Sequence, residues 1–324
     1  MKWILDPHLT LSPEQISYND RILFMGSCFS SEIAVIMKEM KFNIIQNPNG
    51  ILYDPLSLGK NLISYIGQKH YELTDLFQLN GLWHSWQHHS SFSALNPVEV
   101  INKINKSQSE AHQFVKSLDW LVISPGSAFH YVLTKSDQAV ANCHKAPSSL
   151  FHKKLMEIPD IVEELGKAIS ELSLLSPHLR VILTVSPVRH IRDGIVDNNR
   201  SKARLLEAVH AITSQFSNVY YFPAYELLID VLRDYRFYAD DLIHPANNAI
   251  RYIFEQFQAT FIKPDTLAVM GKAADILKAV KHTPFHPSTE GYKDFKINQL
   301  QKIKEFQQAF PASDWSNEIR HFTA

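Results

Sequence analysis

Residues 21–29 read Arg21-Ile22-Leu23-Phe24-Met25-Gly26-Ser27-Cys28-Phe29. A short apolar run stops at Gly26-Ser27, and a helical pattern starts at once in Ser30-Ser31-Glu32-Ile33-Ala34-Val35-Ile36-Met37. A strand that turns directly into a helix presents one side chain at the C-terminal edge of a sheet. Open α/β sheets hold ligands at that edge, and the adjoining helix N-terminus favours negative charge. Far along the chain, Asp240-Asp241-Leu242-Ile243-His244-Pro245 sets a carboxylate and an imidazole three residues apart. Together the two segments can supply a nucleophile, a base and a group that orients the base.

Working outward, apolar strand-like runs alternate with helical patterns, which reads as a mainly parallel sheet with crossover helices. Strands are expected at 21–26, 42–45, 120–124, 180–186 and 219–222, about five in all. Helices are expected at 30–40, 55–66, 97–117, 157–175 and 197–216. The fourth helix has an early proline and acids in its first turn, as a helix start should. Residues 70–96 break the alternation, with Trp83, His84, Trp86, His88, His89 and Phe92 crowded together. They read as an insertion or long loop over the sheet, and loops of that length tend to be functional. A hairpin is expected within 126–145. Beyond His244 the pattern is wholly helical, at 247–262, 265–281 and 291–310. The chain thus divides into a main α/β unit, 1–262, and a helical C-terminal extension, 263–324. That extension either packs on the main unit or makes a homo-oligomer.

The 324 residues carry a formal net charge of −1, which argues against nucleic-acid or membrane binding driven by global charge. No window approaches the 18 or more apolar residues of a membrane span. The N-terminal residues reach Asp6-Pro7 before a signal-like apolar core can form. Cys28 and Cys143 are the two cysteines, without CxxC spacing, which suits buried thiols in a reducing cytoplasm.

Ser27 alone would mean little, because a serine hydroxyl needs a base to become a nucleophile. An Asp and His on one tight turn can meet, the Asp fixing the ring's tautomer and stabilising the imidazolium. A helix-capping Asp beside a surface His is the competing reading of the same spacing. Gly26-Ser27-Cys28-Phe29-Ser30 resembles the signature of the GSCFA family, with Ser30 in place of Ala. Further stretches resemble that family too: Asn47 to Pro55, Val140 to Lys145, Thr184 to His190, Asn199 to Ala203, Tyr221 to Glu226 and Asp234 to Pro245. The family looks like a branch of the SGNH (GDSL-like) hydrolases. The resemblance implies a three-layer α/β/α fold with Ser27 as nucleophile, His244 as base and Asp241 as orienter. It also implies ester cleavage or acyl transfer, with a small-molecule or carbohydrate ester as partner and no cofactor.

An oxyanion site needs two or three donors. The N–H of Ser27 or Cys28 is one candidate, and Gly50, which lacks an obstructing side chain, is a second. SGNH enzymes commonly take a third from a Gly-x-Asn-Asp stretch after the third strand. Here that strand leads into Pro125-Gly126-Ser127-Ala128, so Gly126, Ser127, Asn142 or Asn47 would have to serve. Without a full set, a catalytically degenerate ligand-binding protein is the alternative. Arg189, after the fourth strand, is a candidate for binding a substrate carboxylate or phosphate, with Asp193 as its competing ion-pair partner. His190 is an alternative base, and Cys28 an alternative, thiol nucleophile. His84-x-x-x-His88 has metal-ligand spacing on a helix, but no acid or thiol completes a set. No metal is expected, and His88 is kept as a substrate-loop candidate.

Overall fold

The computed structural model describes residues 5–323, with only the backbone of Asp193; the first four residues of the N-terminal stretch read above lie outside it. In chain order the elements run β1 (Arg21–Gly26), α1 (Cys28–Glu39), β2 (Asn43–Gln46) and α2 (Pro55–Ile66). Next come β3 (Leu76–Leu79), β4 (Leu82–Ser85), α3 (Pro97–Val115) and β5 (Trp120–Ser124). An inserted set follows, β6 (Phe129–Leu133), β7 (Ala139–Val140) and β8 (Phe151–Leu155), then α4 (Ile158–Leu175) and β9 (Arg180–Leu183). The main unit ends with α5 (Ile195–Gln215), β10 (Val219–Tyr221), the short α6 (Ala224–Glu226) and α7 (Asn247–Phe261). Then come α8 (Pro264–Val280), α9 (Glu290–Ala309) and α10 (Ser316–Thr323).

Five strands form one parallel sheet in the order β10-β9-β5-β1-β2. Its central strands are apolar throughout because both faces are covered. In β1, Ile22 and Phe24 face one core, while Leu23 and Met25 face the other. Trp120 and Val122 of β5 repeat the alternation against Leu121 and Ile123. Helices α1 and α7 contribute to the first core; α4 and α5 contribute to the second. This is the expected three-layer α/β/α fold. The chain runs outward from β1 to β2, then returns to β5 and continues through β9 to β10. The order therefore reverses between β1 and β5, and such switch points open a crevice at the strands' carboxyl ends.

Segment 70–96 holds the β3–β4 hairpin, turned by Asn80-Gly81 with φ of 50° and 79° at the two positions. Two successive positive φ values match the twist of a hairpin. β6, β7 and β8 form a separate antiparallel sheet in the order β7-β6-β8. The two insertions join through main-chain contacts: the Ala141 N–H donates to Trp86 O at 2.8 Å. Within segment 70–96, Phe77 stacks on Trp86, with ring centroids 3.5 Å apart.

The C-terminal helices share the first core. Trp315 and Phe306 are buried with Tyr18 and Phe42, and Lys41 pairs with Glu318 at 2.8 Å. Among the described residues no helix is long and apolar enough to cross a membrane.

Candidate active site

Gly26 ends β1 with φ +130°, a conformation L side chains rarely adopt. A Cβ there would lie 2.2 Å from Ser124 O, so the β1 turn lies directly against the end of β5. Hydrogen bonds tie the turn on both sides: Ser27 N–H donates to Ser124 O at 3.0 Å, and Gly26 N–H to Asn47 Oδ1 at 2.9 Å. Ser27 then occupies the N-cap of α1, yet its side chain makes no cap hydrogen bond. Its Oγ instead meets Ser124 Oγ at 3.3 Å. First-turn N–H groups such as that of Cys28 have no partner within a helix, and they are left facing the same edge.

The Asp241 carboxylate takes three hydrogen bonds. His244 Nδ1 lies 2.7 Å from Oδ2, while the N–H groups of Ile243 and His244 donate to Oδ1 at 2.9 and 3.0 Å. The His244 N–H, then the His244 ring, then the Ile243 N–H hold the Asp241 carboxyl down at about 2. Asp241 is therefore an anion at any working pH, and it fixes which imidazole nitrogen faces it. Both side chains are half exposed. Among the described residues His244 Nε2 has no hydrogen-bond partner, and Ser27 Oγ bonds Ser124 rather than His244.

Arg189 carries the segment that holds His244. Its guanidinium lies 4.2 Å from the Tyr238 ring centroid and donates to Leu242 O at 3.3 Å. Its N–H donates to Ile243 O. The structure thus engages Arg189 in the 238–243 loop rather than leaving it open for a substrate anion; the Asp193 side chain lies outside the described residues. His190 is nearer the serine turn. A Cβ placed on Gly126 would be 3.0 Å from His190 Nε2 and 3.5 Å from Ser27 Cβ, so both side chains border Gly126.

The expected oxyanion donors fare differently. Gly50 N–H is taken by Asn47 O at 2.7 Å. Lack of a side chain at Gly50 admits His89, whose Cβ would lie 2.1 Å from a Cβ there. Gly126 and Ser127 N–H groups both donate to Tyr53 O, at 2.7 and 3.3 Å. Ser127 Oγ is buried against Ser201 Oγ. Asn47 spends its amide on Gly26 and Ser31. Asn142 uses Oδ1 on the His144 N–H, leaving Nδ2 open. Burial raises the Cys28 thiol pKa against the opposing pull of its own main-chain N–H, which disfavours a thiolate.

His88 does not belong to a substrate loop surface. It is 0% exposed, bonded through Nδ1 to Ser85 Oγ at 2.9 Å and packed edge-on against Tyr71. Burial, then the charges of Lys69 and His144, push its pKa down to about 3. His84 lies on β4 rather than on a helix, so the i, i+4 metal geometry does not arise. No group of three or more possible metal-binding side chains occurs among the described residues.

Sequence reasoning missed Lys202. It is 1% exposed and donates to Gly126 O and Ser186 O, each at 2.6 Å. It therefore spans the loops after β5 and β9. Asn198 and Ser201, on the same face of α5, accept the N–H groups of His190 and Ala128 at 2.8 and 2.7 Å. One helix face thus holds both loops beside Ser27. The signal available was the stretch Asn199 to Ala203, quoted above for its resemblance but given no role. Burial pushes the Lys202 pKa down to about 7. The unfolded chain keeps this proton to about pH 10.4, so between these values it binds more protons than the fold does. Stability from this group is full above that window and is lost as pH falls through it to about 7. Denaturant melts at pH 7 and pH 9 should show the wild type gaining stability at the higher pH. Lys202→Met should lose most of that gain; an equal gain in both proteins would contradict the assignment.

The family model described as the GSCFA family matches residues 21–257, and that of the GSCFA domain protein C-terminal domain matches 273–324. No curated protein matches the chain in sequence. Among solved structures, an acetyl xylan esterase (Est2A) from the rumen bacterium Butyrivibrio proteoclasticus is similar at 9% identity and a TM-score of 0.38. That match covers 75% of this chain and 63% of the other, less than two thirds of the esterase's length. The first family model spans well over half of the residues, including the Ser27 turn and the Asp241–His244 pair: the chain belongs to the GSCFA family.

Proposed function

We propose that the chain is a serine hydrolase or acyltransferase that acts on O-acyl esters through Ser27, His244 and Asp241. The observation that carries this reading is the Asp241–His244 pair, held at 2.7 Å by a carboxylate that two main-chain N–H groups also fix. The two main-chain bonds are those of an ordinary capping aspartate; the bond from Oδ2 to the His244 ring is what an orienter of a catalytic base adds. Arg189 ties the pair to the loop after β9, which shares a sheet edge with Ser27.

In the reaction, Ser27 Oγ forms a bond to the ester carbonyl carbon while His244 Nε2 takes its proton. The carbonyl oxygen becomes an anion facing the α1 N-terminus, where the Cys28 N–H donates to it. A well-placed donor of this kind is worth about 3 kcal/mol of barrier. Collapse breaks the C–O bond, and His244 returns the proton to the departing alcohol. Water then releases the acyl group, or a second alcohol accepts it. For proton transfer the Ser27 side chain must turn from Ser124 toward His244, since catalytic hydrogen bonds often tighten only when substrate is bound. Acylated carbohydrate is one substrate class consistent with this chemistry.

One observation favours a second reading, a ligand-binding protein without turnover. Ser27 is 4% exposed, and the N–H groups of Gly50, Gly126 and Ser127 are already engaged. A fluorophosphonate probe separates the two. Labelling of the wild type that Ser27→Ala abolishes is the expected result; a well-folded wild type that takes no label would favour the binding protein.

A further inference from the structure

A cleft of ≈ 440 Å³ adjoins the Ser27 turn. Tyr53 links them: it lines the cleft, and a Cβ on Gly126 would meet both Tyr53 Cβ, at 3.2 Å, and Ser27 Cβ, at 3.5 Å. Phe129, Tyr131 and Phe151 of the inserted sheet line the cleft. Arg192 and Lys145 also line it. Both are exposed, and neither has an ion-pair or hydrogen-bond partner among the described residues.

Among the described residues the remaining polar groups of the lining do not neutralise these cations. Asp54, the one acid of the lining among the described residues, is buried and caps α2 by accepting the Ser57 N–H at 2.9 Å. His144 spends both ring nitrogens, on Ser90 Oγ at 3.0 Å and Ser85 O at 2.8 Å. The Asn142 Nδ2 group adds a donor with no acceptor among the described residues. Aromatic walls with two cations and an amide that have no partner among the described residues suit a ring that carries a negative charge.

We infer that this cleft is a subsite for a ring-bearing anion, a carboxylate or phosphate held by Arg192 and Lys145, and that it forms part of the substrate. Only the second half of that statement rests on the ester-cleaving reading of Ser27; the binding itself does not.

Calorimetric titration of the full chain with benzoate, phenyl phosphate and neutral benzamide tests it. The better anion should bind at least about tenfold tighter than benzamide, the scale of one charge-assisted contact. Added salt should weaken that preference. Arg192→Gln combined with Lys145→Gln should erase it, and since both side chains are exposed the circular dichroism should not change. The ratio of benzoate to phenyl phosphate affinity tells carboxylate from phosphate. Benzamide binding as tightly as the anions, a preference that survives the double substitution, or no saturable anion binding would each overturn the inference. Fluorophosphonate labelling reads the serine separately. Anion binding without labelling would leave the subsite standing and remove the hydrolase reading.

Discussion

Replacing His244 with Ala is expected to lower ester turnover by about 10³-fold or more, the scale seen when a triad base is removed. The loss should appear in kcat, because the imidazole acts on the moving proton rather than on bound ester. Stability should change little, by about 0.5 kcal/mol at most, since the ring is half exposed and its side chain bonds only Asp241. Asp241→Asn should cost less in rate but more in loop order, because Asp241 also holds the N–H groups of Ile243 and His244. With the Asp241 carboxyl held near 2, no rate loss from that group should appear until far into the acid range. Steady-state kinetics decide the matter. An unchanged rate in His244→Ala, with a dead His190→Ala, would transfer the base role to the ring that flanks Gly126.

Gly26→Ala should be severely destabilising. A Cβ at this position would lie 2.2 Å from Ser124 O and 2.7 Å from Ser124 C, both main-chain atoms of the neighbouring strand. The φ of +130° strains any L side chain as well. Backbone cannot step aside as a side chain can, so β1 and β5 would have to part where they pair, Gly26 against Ser124. A cost of about 4 kcal/mol or more is expected, a large share of a typical domain's stability. Chemical denaturation measures it. Gly271→Ala serves as the control, since nothing lies within 4 Å of a Cβ there and α8 should gain slightly from the better helix former. Equal stability of the two variants would contradict the close approach of β1 to β5.

Much of the main fold is readable in the chain because its central strands are buried on both faces. Residues 22–25 and 120–123 are uninterrupted apolar runs that lead into a turn, and β1 and β5 form there, over Arg21–Gly26 and Trp120–Ser124. Strand β9 stops at Leu183, short of the expected residue 186, because Ser186 N–H turns to bond Pro125 O across the loops. The last strand of the inserted sheet, Phe-His-Lys-Lys-Leu at 151–155, escapes notice because its pattern is largely polar and its partner is β6.

At the site, local spacing identified the Asp241–His244 pair because three residues of one loop suffice to form it. The oxyanion donors were illegible for the opposite reason. Whether Gly50 or Gly126 has a free N–H depends on where Asn47 O and Tyr53 O come to lie. Lys202 was invisible in the same way, since its two carbonyl partners belong to loops far from it in sequence. Arg189 looked like an anion ligand because nothing local predicts its stacking on Tyr238.

The most direct measurement is to trap the acyl-enzyme itself. The wild type, mixed with p-nitrophenyl acetate, is quenched in acid within the first turnovers, and the acetylated peptide is mapped by mass spectrometry. The account predicts a single acetyl group on Ser27, accumulating with the burst of nitrophenol. Acetyl on Cys28, on Ser124 or on no residue at all would contradict it.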